Sequence, residues 1–140
     1  REQITPALRE LVAATGETAS FYVKAGQERV CLYRENSPNL LRLHVEEGMR
    51  LQMSTGASGL VLRHFSGEAV QDLSLFNAQG TASPVGETNP NISSVSTPVF
   101  TAQGELSGAL TVSGLVSRFD TDARAAVVPL LERLAAGLRG

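Results

Sequence analysis

Two alternating runs late in the chain, Ile92–Phe100 and residues 105–113, stand four residues apart, and no other feature narrows the fold as much. Strand formers alternate along both, and Thr101-Ala102-Gln103-Gly104 between them supplies a glycine turn, so the pair predicts an antiparallel hairpin. Successive strand residues face opposite sides, which sets Leu106, Gly108, Leu110 and Val112 against Ser107, Ala109, Thr111 and Ser113. With Gln103-Gly104 as a two-residue turn, Ser96 lies opposite Thr111 and Ser94 opposite Ser113, so four hydroxyls share one face. A one-residue bulge would shift that pairing. Such a face is either ordinary solvated sheet or the lining of a polar site.

The remaining elements fit around that hairpin. Thr5 as N-cap, Pro6 in the first helical position and Gly16 as a stop punctuate a helix over residues 5–15, with Leu8, Leu11 and Val12 on one stripe. Residues 18–24 and 29–34 read as a second hairpin across Ala25-Gly26-Gln27-Glu28, with Cys31 and Tyr33 on one face and Val30 and Leu32 on the other. Asn36-Ser37-Pro38-Asn39 breaks the pattern, residues 40–45 resume as a strand, and residues 49–53 form another extended piece. A short helix begins at Leu60. Residues 66–91 lose periodicity and read as loop with at most a turn near residues 70–76, a length that suggests a lid or a mobile segment. The last helix covers residues 123–138, with Asp120 or Thr121 as N-cap and Val127, Leu130, Leu131, Leu134 and Leu138 as its stripe. Pro129 removes a backbone bond at a cost of about 3 kcal/mol, which predicts a kink or restart. The order is that of an α+β sandwich, one antiparallel sheet with helices against it.

Composition excludes several functions. The 140 residues are 42% hydrophobic, enough for one domain with a real core. Net charge is −2, and Lys and Arg are scattered, so no surface is built for nucleic-acid phosphates or anionic lipid. Cys31 is alone, ruling out an intrachain disulfide, and no Cys/His spacing matches a zinc site; a reducing cytoplasm fits. No apolar run reaches the roughly 18 residues of a membrane span, and residues 1–10 are not a signal peptide. Arg1 in place of an initiator Met suggests a piece of something longer.

Catalytic signatures are missing from the pattern. Gly56-Ala57-Ser58-Gly59 lacks the spacing of a nucleophile elbow and the lysine of a phosphate cradle; S-x-x-K and G-x-G-x-x-G do not occur. His44 and His64 stand apart from acid–base partners, Cys31 suits a small buried hydrophobe, and Glu46-Glu47 suits a solvated turn. Ingredients for a small polar ligand are nevertheless there. Gly56–Gly59 leads from a strand into a helix start, where backbone N–H groups lack internal partners; alternatively, Ser58 caps the helix and the glycines only turn the chain. Leu40, Leu43 and Leu51 offer apolar walls, and the late strands offer hydroxyls.

At these residues the sequence resembles a known family. Leu8 and Leu11 are followed by Thr15-Gly16-Glu17-Thr18-Ala19, then Gly48-Met49-Arg50-Leu51-Gln52-Met53 and Gly56-Ala57-Ser58-Gly59 with Val61-Leu62. Later come Ser94-Val95-Ser96, Pro98-Val99-Phe100, Gly104, the run from Gly108 to Gly114, and Ser117-Arg118-Phe119. In this order they are similar to the effector-binding domain of IclR-type transcriptional regulators. The resemblance implies a GAF/PAS-like antiparallel sheet flanked by helices, with residues 1–140 as one effector-binding domain. It implies a dimer or tetramer in the cytoplasm, and operator DNA contacted only through a winged helix-turn-helix absent from this sequence. It also implies a small-molecule effector, an organic or aromatic acid, held by the backbone at Ala57 and Ser58 and by the side chains of Ser94, Thr111 and Ser113, with Leu40, Leu43 and Leu51 as wall. No cofactor, catalytic residue, metal or membrane is implied.

Two departures accompany it. Gln52, Ser54 and Leu60 stand where the family usually has proline, histidine and lysine, and residues 66–91 are much shorter than the family's middle segment. The pocket is then open, completed by a partner subunit, or lost. A ligand-free dimerisation scaffold with a degenerate pocket is therefore the alternative to a sensor, while an enzyme would need an acid–base pair that the pattern lacks.

Overall fold

A computed structural model of the chain describes residues 3–39, 46–70, 72–84 and 91–139. Its elements are α1 (Ile4–Thr15), β1 (Thr18–Ala25), β2 (Glu28–Glu35), β3 (Arg50–Gln52), α2 (Gly56–Phe65), a 3-10 turn (Leu73–Leu75), β4 (Ile92–Phe100), β5 (Leu106–Leu115) and α3 (Thr121–Gly137). The strands form one antiparallel sheet in the order β3-β2-β1-β5-β4. Helices α1 and α3, with Phe119 just before α3, bury Leu8, Leu11, Val127 and Leu131 against Phe21, Val95, Leu110 and Val112 on one face. On the other face Leu60, Val61 and Leu62 of α2 meet Tyr22, Cys31 and Ala109. The α+β architecture expected from the sequence is the one observed.

Local chemistry explains most boundaries. Gly16 ends α1 in a left-handed conformation at φ 72°, and its amide bonds Val12 O at 2.7 Å. The start differs from expectation: Gln3 precedes the helix without a side-chain cap, so Thr5 and Pro6 lie inside the first turn. Asp120 caps α3 as expected, accepting from the Ala123 amide at 2.9 Å. Pro129 does not restart α3, which runs through it. Pro129 and Ala125 are both exposed, so water reaches the carbonyl that the missing N–H leaves unbonded.

Two bulges correct the expected faces. In β2, Phe21 pairs with Tyr33 and Tyr22 with Cys31, leaving Leu32 as the extra residue. Cys31 and Tyr33 therefore face opposite sides, the first toward α2 and the second toward α1 and α3. In β5, Phe100 pairs with Leu106 and Val99 with Gly108, so Ser107 is the extra residue and Leu106 turns to the α2 face. The hairpin loop is Ala102-Gln103-Gly104, closed by Thr101 and Glu105. A three-residue loop shifts the register one way and the bulge shifts it back, so Ser96 still meets Thr111 and Ser94 still meets Ser113.

The expected strand over residues 40–45 lies outside the described residues. Within 66–91, the described part is more ordered than a plain loop. Ala82 exchanges both backbone bonds with Ser96 on β4, at 2.8 and 2.9 Å. Thr81 and Asn77 donate to Glu132 on α3, and the Arg124 guanidinium donates to Ser83. Pro98 loses no ladder bond, because its nitrogen points to the same outer side as that of Ser96.

Candidate functional site

The α2 face of the sheet is unusually rich in hydroxyls. Ser20, Thr111 and Ser96 form one row across β1, β5 and β4, and Thr18, Ser113 and Ser94 form the next. Ser20, Thr111 and Ser96 are buried, and the Ser96 and Thr111 hydroxyls bond each other at 2.8 Å. Thr18 Oγ1 accepts from the Ser37 amide at 3.0 Å. Ser94 and Ser113 are half-buried. The four hydroxyls expected on one face are thus together, and β1 adds two more that the sequence reading did not include.

Helix α2 begins beside this face. Gly56–Gly59 is its first turn, not a loop preceding it, so the helix starts four residues earlier than expected. Ala57 and Ser58 are almost fully buried, at 1% and 4% exposure. Thr55 precedes them in extended conformation without a capping side-chain bond, and Ser58 sits inside the turn, not at the cap. Among the described residues, no side chain accepts from the amides of Gly56, Ala57 or Ser58. A buried helix start with unpaired donors is a ready anion site.

Arg29 was not singled out from the sequence. It is 5% exposed, and Nη1 donates to the carbonyls of Gln52 and Thr55, immediately before α2. Its Cζ lies 5.5 Å from the centre of the Tyr22 ring. Gly59 allows this approach: a Cβ there would stand 3.0 Å from Arg29 Nη1 and 2.5 Å from Met53 O. Arg29 Nε is buried without a hydrogen-bond partner. Burial holds the guanidinium below its ordinary pKa, with Tyr22 opposing that shift and Arg63 reinforcing it. Burial likewise raises the Tyr22 phenol and the Cys31 thiol. One sequence signal could have exposed Arg29, since it lies two residues before Cys31 on the strand and therefore shares its buried face.

Leu51 is half-buried in β3 and packs on the α2-side cluster. Leu40 and Leu43, like His44, lie outside the described residues. His64 packs between the rings of Phe65 and Phe76, at 4.8 and 4.7 Å between centres. Cavities of about 270, 230 and 220 Å³ run along α3, away from the hydroxyl rows. Among the described residues, no cluster of His, Cys, Asp and Glu could hold a metal, and no helix is long and apolar enough to cross a membrane.

Residues 68–138 match the family model described as the bacterial transcriptional regulator IclR C-terminal domain. None of the curated proteins matches the sequence. Among solved structures, an IclR-family regulator from Rhodococcus sp. superposes with a TM-score of 0.85 at 23% identity, over 99% of this chain and 62% of that one. The C-terminal domain of a regulator from Vibrio cholerae gives 0.80 at 22% identity, over 96% of this chain and 93% of that one. The inducer-binding domain of a PobR double mutant from Acinetobacter, in complex with 3-hydroxybenzoic acid, gives 0.77 at 20% identity, over 96% and 94%. The chain spans 62% of the Rhodococcus regulator's length.

Proposed function

This chain belongs to the family of IclR-type bacterial transcriptional regulators, as their C-terminal regulatory domain, and from that premise we propose that it senses a small organic or aromatic acid. The family and fold are those of regulator domains, not of enzymes. One observation carries the sensing role: the first turn of α2 is buried at Ala57 and Ser58, its amides have no partner among the described residues, and it lies on the sheet face that carries Thr111, Ser113 and Ser94. A carboxylate satisfies those amides, and the helix dipole favours its charge. Ser94, Ser113 and Thr111 then meet the polar groups of the acid, and Leu51 lends an apolar wall; Leu40 and Leu43, expected beside it, lie outside the described residues. The acid bound to the PobR domain supports this ligand class.

In the whole regulator, two or four copies associate and a winged helix-turn-helix outside this sequence contacts operator DNA. An acid that binds one arrangement of the copies better shifts the spacing of the DNA-binding heads. Isothermal titration and thermal shift against small carboxylates and aromatic acids, 3-hydroxybenzoate among them, test the reading. Saturable binding that weakens in Ser113→Ala is expected; a flat panel would overturn it. A second reading, a ligand-free dimerisation scaffold, is favoured by the Ser96–Thr111 bond, because two hydroxyls that satisfy each other have less need of a ligand. It predicts that Thr111→Val with Ser113→Ala leaves operator control unchanged.

A further inference from the structure

We propose that Arg29 is the anion anchor of this site, and that its Nε edge takes the carboxylate of the bound acid. The inference rests on the sensing role above and adds a residue to it. A buried guanidinium normally faces a carboxylate, because removing a full charge from water is costly unless it is paired. Among the described residues, Arg29 has no carboxylate partner. Two backbone carbonyls occupy Nη1, the Tyr22 ring lies under the guanidinium, and Nε keeps an unshared proton although the residue is 95% buried.

Its position sharpens the point. The guanidinium sits against the first turn of α2, where the helix already presents partial positive charge and unpaired amides. Two positive features placed together raise each other's cost, and one anion lowers both. The planar fork of Arg favours a carboxylate, which can accept from neighbouring N–H groups at once. The row Ser20–Thr111–Ser96, beginning two residues from Tyr22 along β1, then offers hydroxyls to the far end of the acid. The ligand class is a small carboxylic acid with an apolar or aromatic body, recognised by charge and not only by shape.

The test compares each acid with its neutral amide: benzoate with benzamide, and propionate with propionamide, by isothermal titration on the wild-type chain, Arg29→Gln and Arg29→Lys. Wild type should prefer the acid by about tenfold to hundredfold, the worth of a charged hydrogen bond. In Arg29→Gln that preference should collapse toward unity, whereas a merely structural Arg29 would weaken acid and amide alike and keep their ratio. An unchanged ratio in Arg29→Gln overturns the anchor and leaves sensing intact, as does equal wild-type affinity for acid and amide. If no acid binds wild type, here or in the wider panel, both readings fall. If Arg29→Gln does not give a cooperative melt, Arg29→Lys carries the test, since it keeps a charge but lacks the Nε–H; a reduced ratio supports the anchor and an unchanged one overturns it.

Discussion

The two faces of the sheet are built from the same strands and follow opposite rules. Toward α1 and α3, Phe21, Val95, Leu110 and Val112 present hydrocarbon, Leu8, Leu11, Phe119 and Leu131 fill the space between, and the buried hydroxyls there, Ser93 and Thr97, are paired with Phe119 O and Thr81. Toward α2, the neighbouring positions on those strands hold Ser20, Thr111, Ser96 and Tyr22, and beside them lies a buried arginine whose Nε has no partner among the described residues. Dry packing of the first kind stabilises a fold and recognises nothing. Polar burial of the second kind contributes little net stability, and its unpaired donors give it a use for a ligand. Strand alternation alone separates the two, so a domain of this size can keep its stability on one face and its specificity on the other.

That division can be broken by substitution. Leu131→Ala opens the dry face at a fully buried position and should cost about 2–5 kcal/mol in urea unfolding. It should leave the preference for acid over amide unchanged; a changed preference would show that the faces are coupled. Thr111→Val should cost about 1–3 kcal/mol, because it leaves the buried Ser96 hydroxyl without its partner. Adding Ser96→Ala should then cost less than the sum of the two single changes, and strictly additive values would sink the pairing. The smallest effect concerns pH. Burial raises the Tyr22 phenol above 10.0 and the Cys31 thiol above 9.0 in the folded chain, so the unfolded chain loses these protons first. Their contribution is complete at neutral pH and declines as pH rises past about 9, toward the raised folded values. Unfolding free energies measured from pH 7 to 11 should fall more gently in Tyr22→Phe and Cys31→Ala than in wild type.

Much of the frame was legible because it follows from local periodicity. Both hairpins, the final helix with its Asp120 cap, and the meeting of Ser96 with Thr111 come from alternation and turn chemistry. Bulges are not readable in that way. The extra residues Leu32 and Ser107 break no propensity rule, yet each reverses a face, sending Cys31 away from Tyr33 and Leu106 toward α2. In the late hairpin the bulge offsets a longer loop, so the register came out right although the turn did not. The first turn of α2 was hidden for another reason: glycine and serine have low helix propensity, and the close approach of Met53 and Arg29 at Gly59 that accompanies the turn is a tertiary contact, not a local signal. Arg29 was hidden because charged strand residues are mostly exposed, and nothing nearby in sequence announces the two carbonyls that hold it.

The bridge between Ala82 and Ser96 has a consequence for self-association. β4 is the last strand of the sheet, and an uncovered outer strand is a template on which another chain can dock its own backbone. Ala82 already occupies the donor and acceptor of Ser96, and two residues further on Pro98 has no donor to offer. Another chain that tried to continue the sheet past β4 would therefore find Ser96 already taken and no donor at Pro98, the middle of the strand's outer edge.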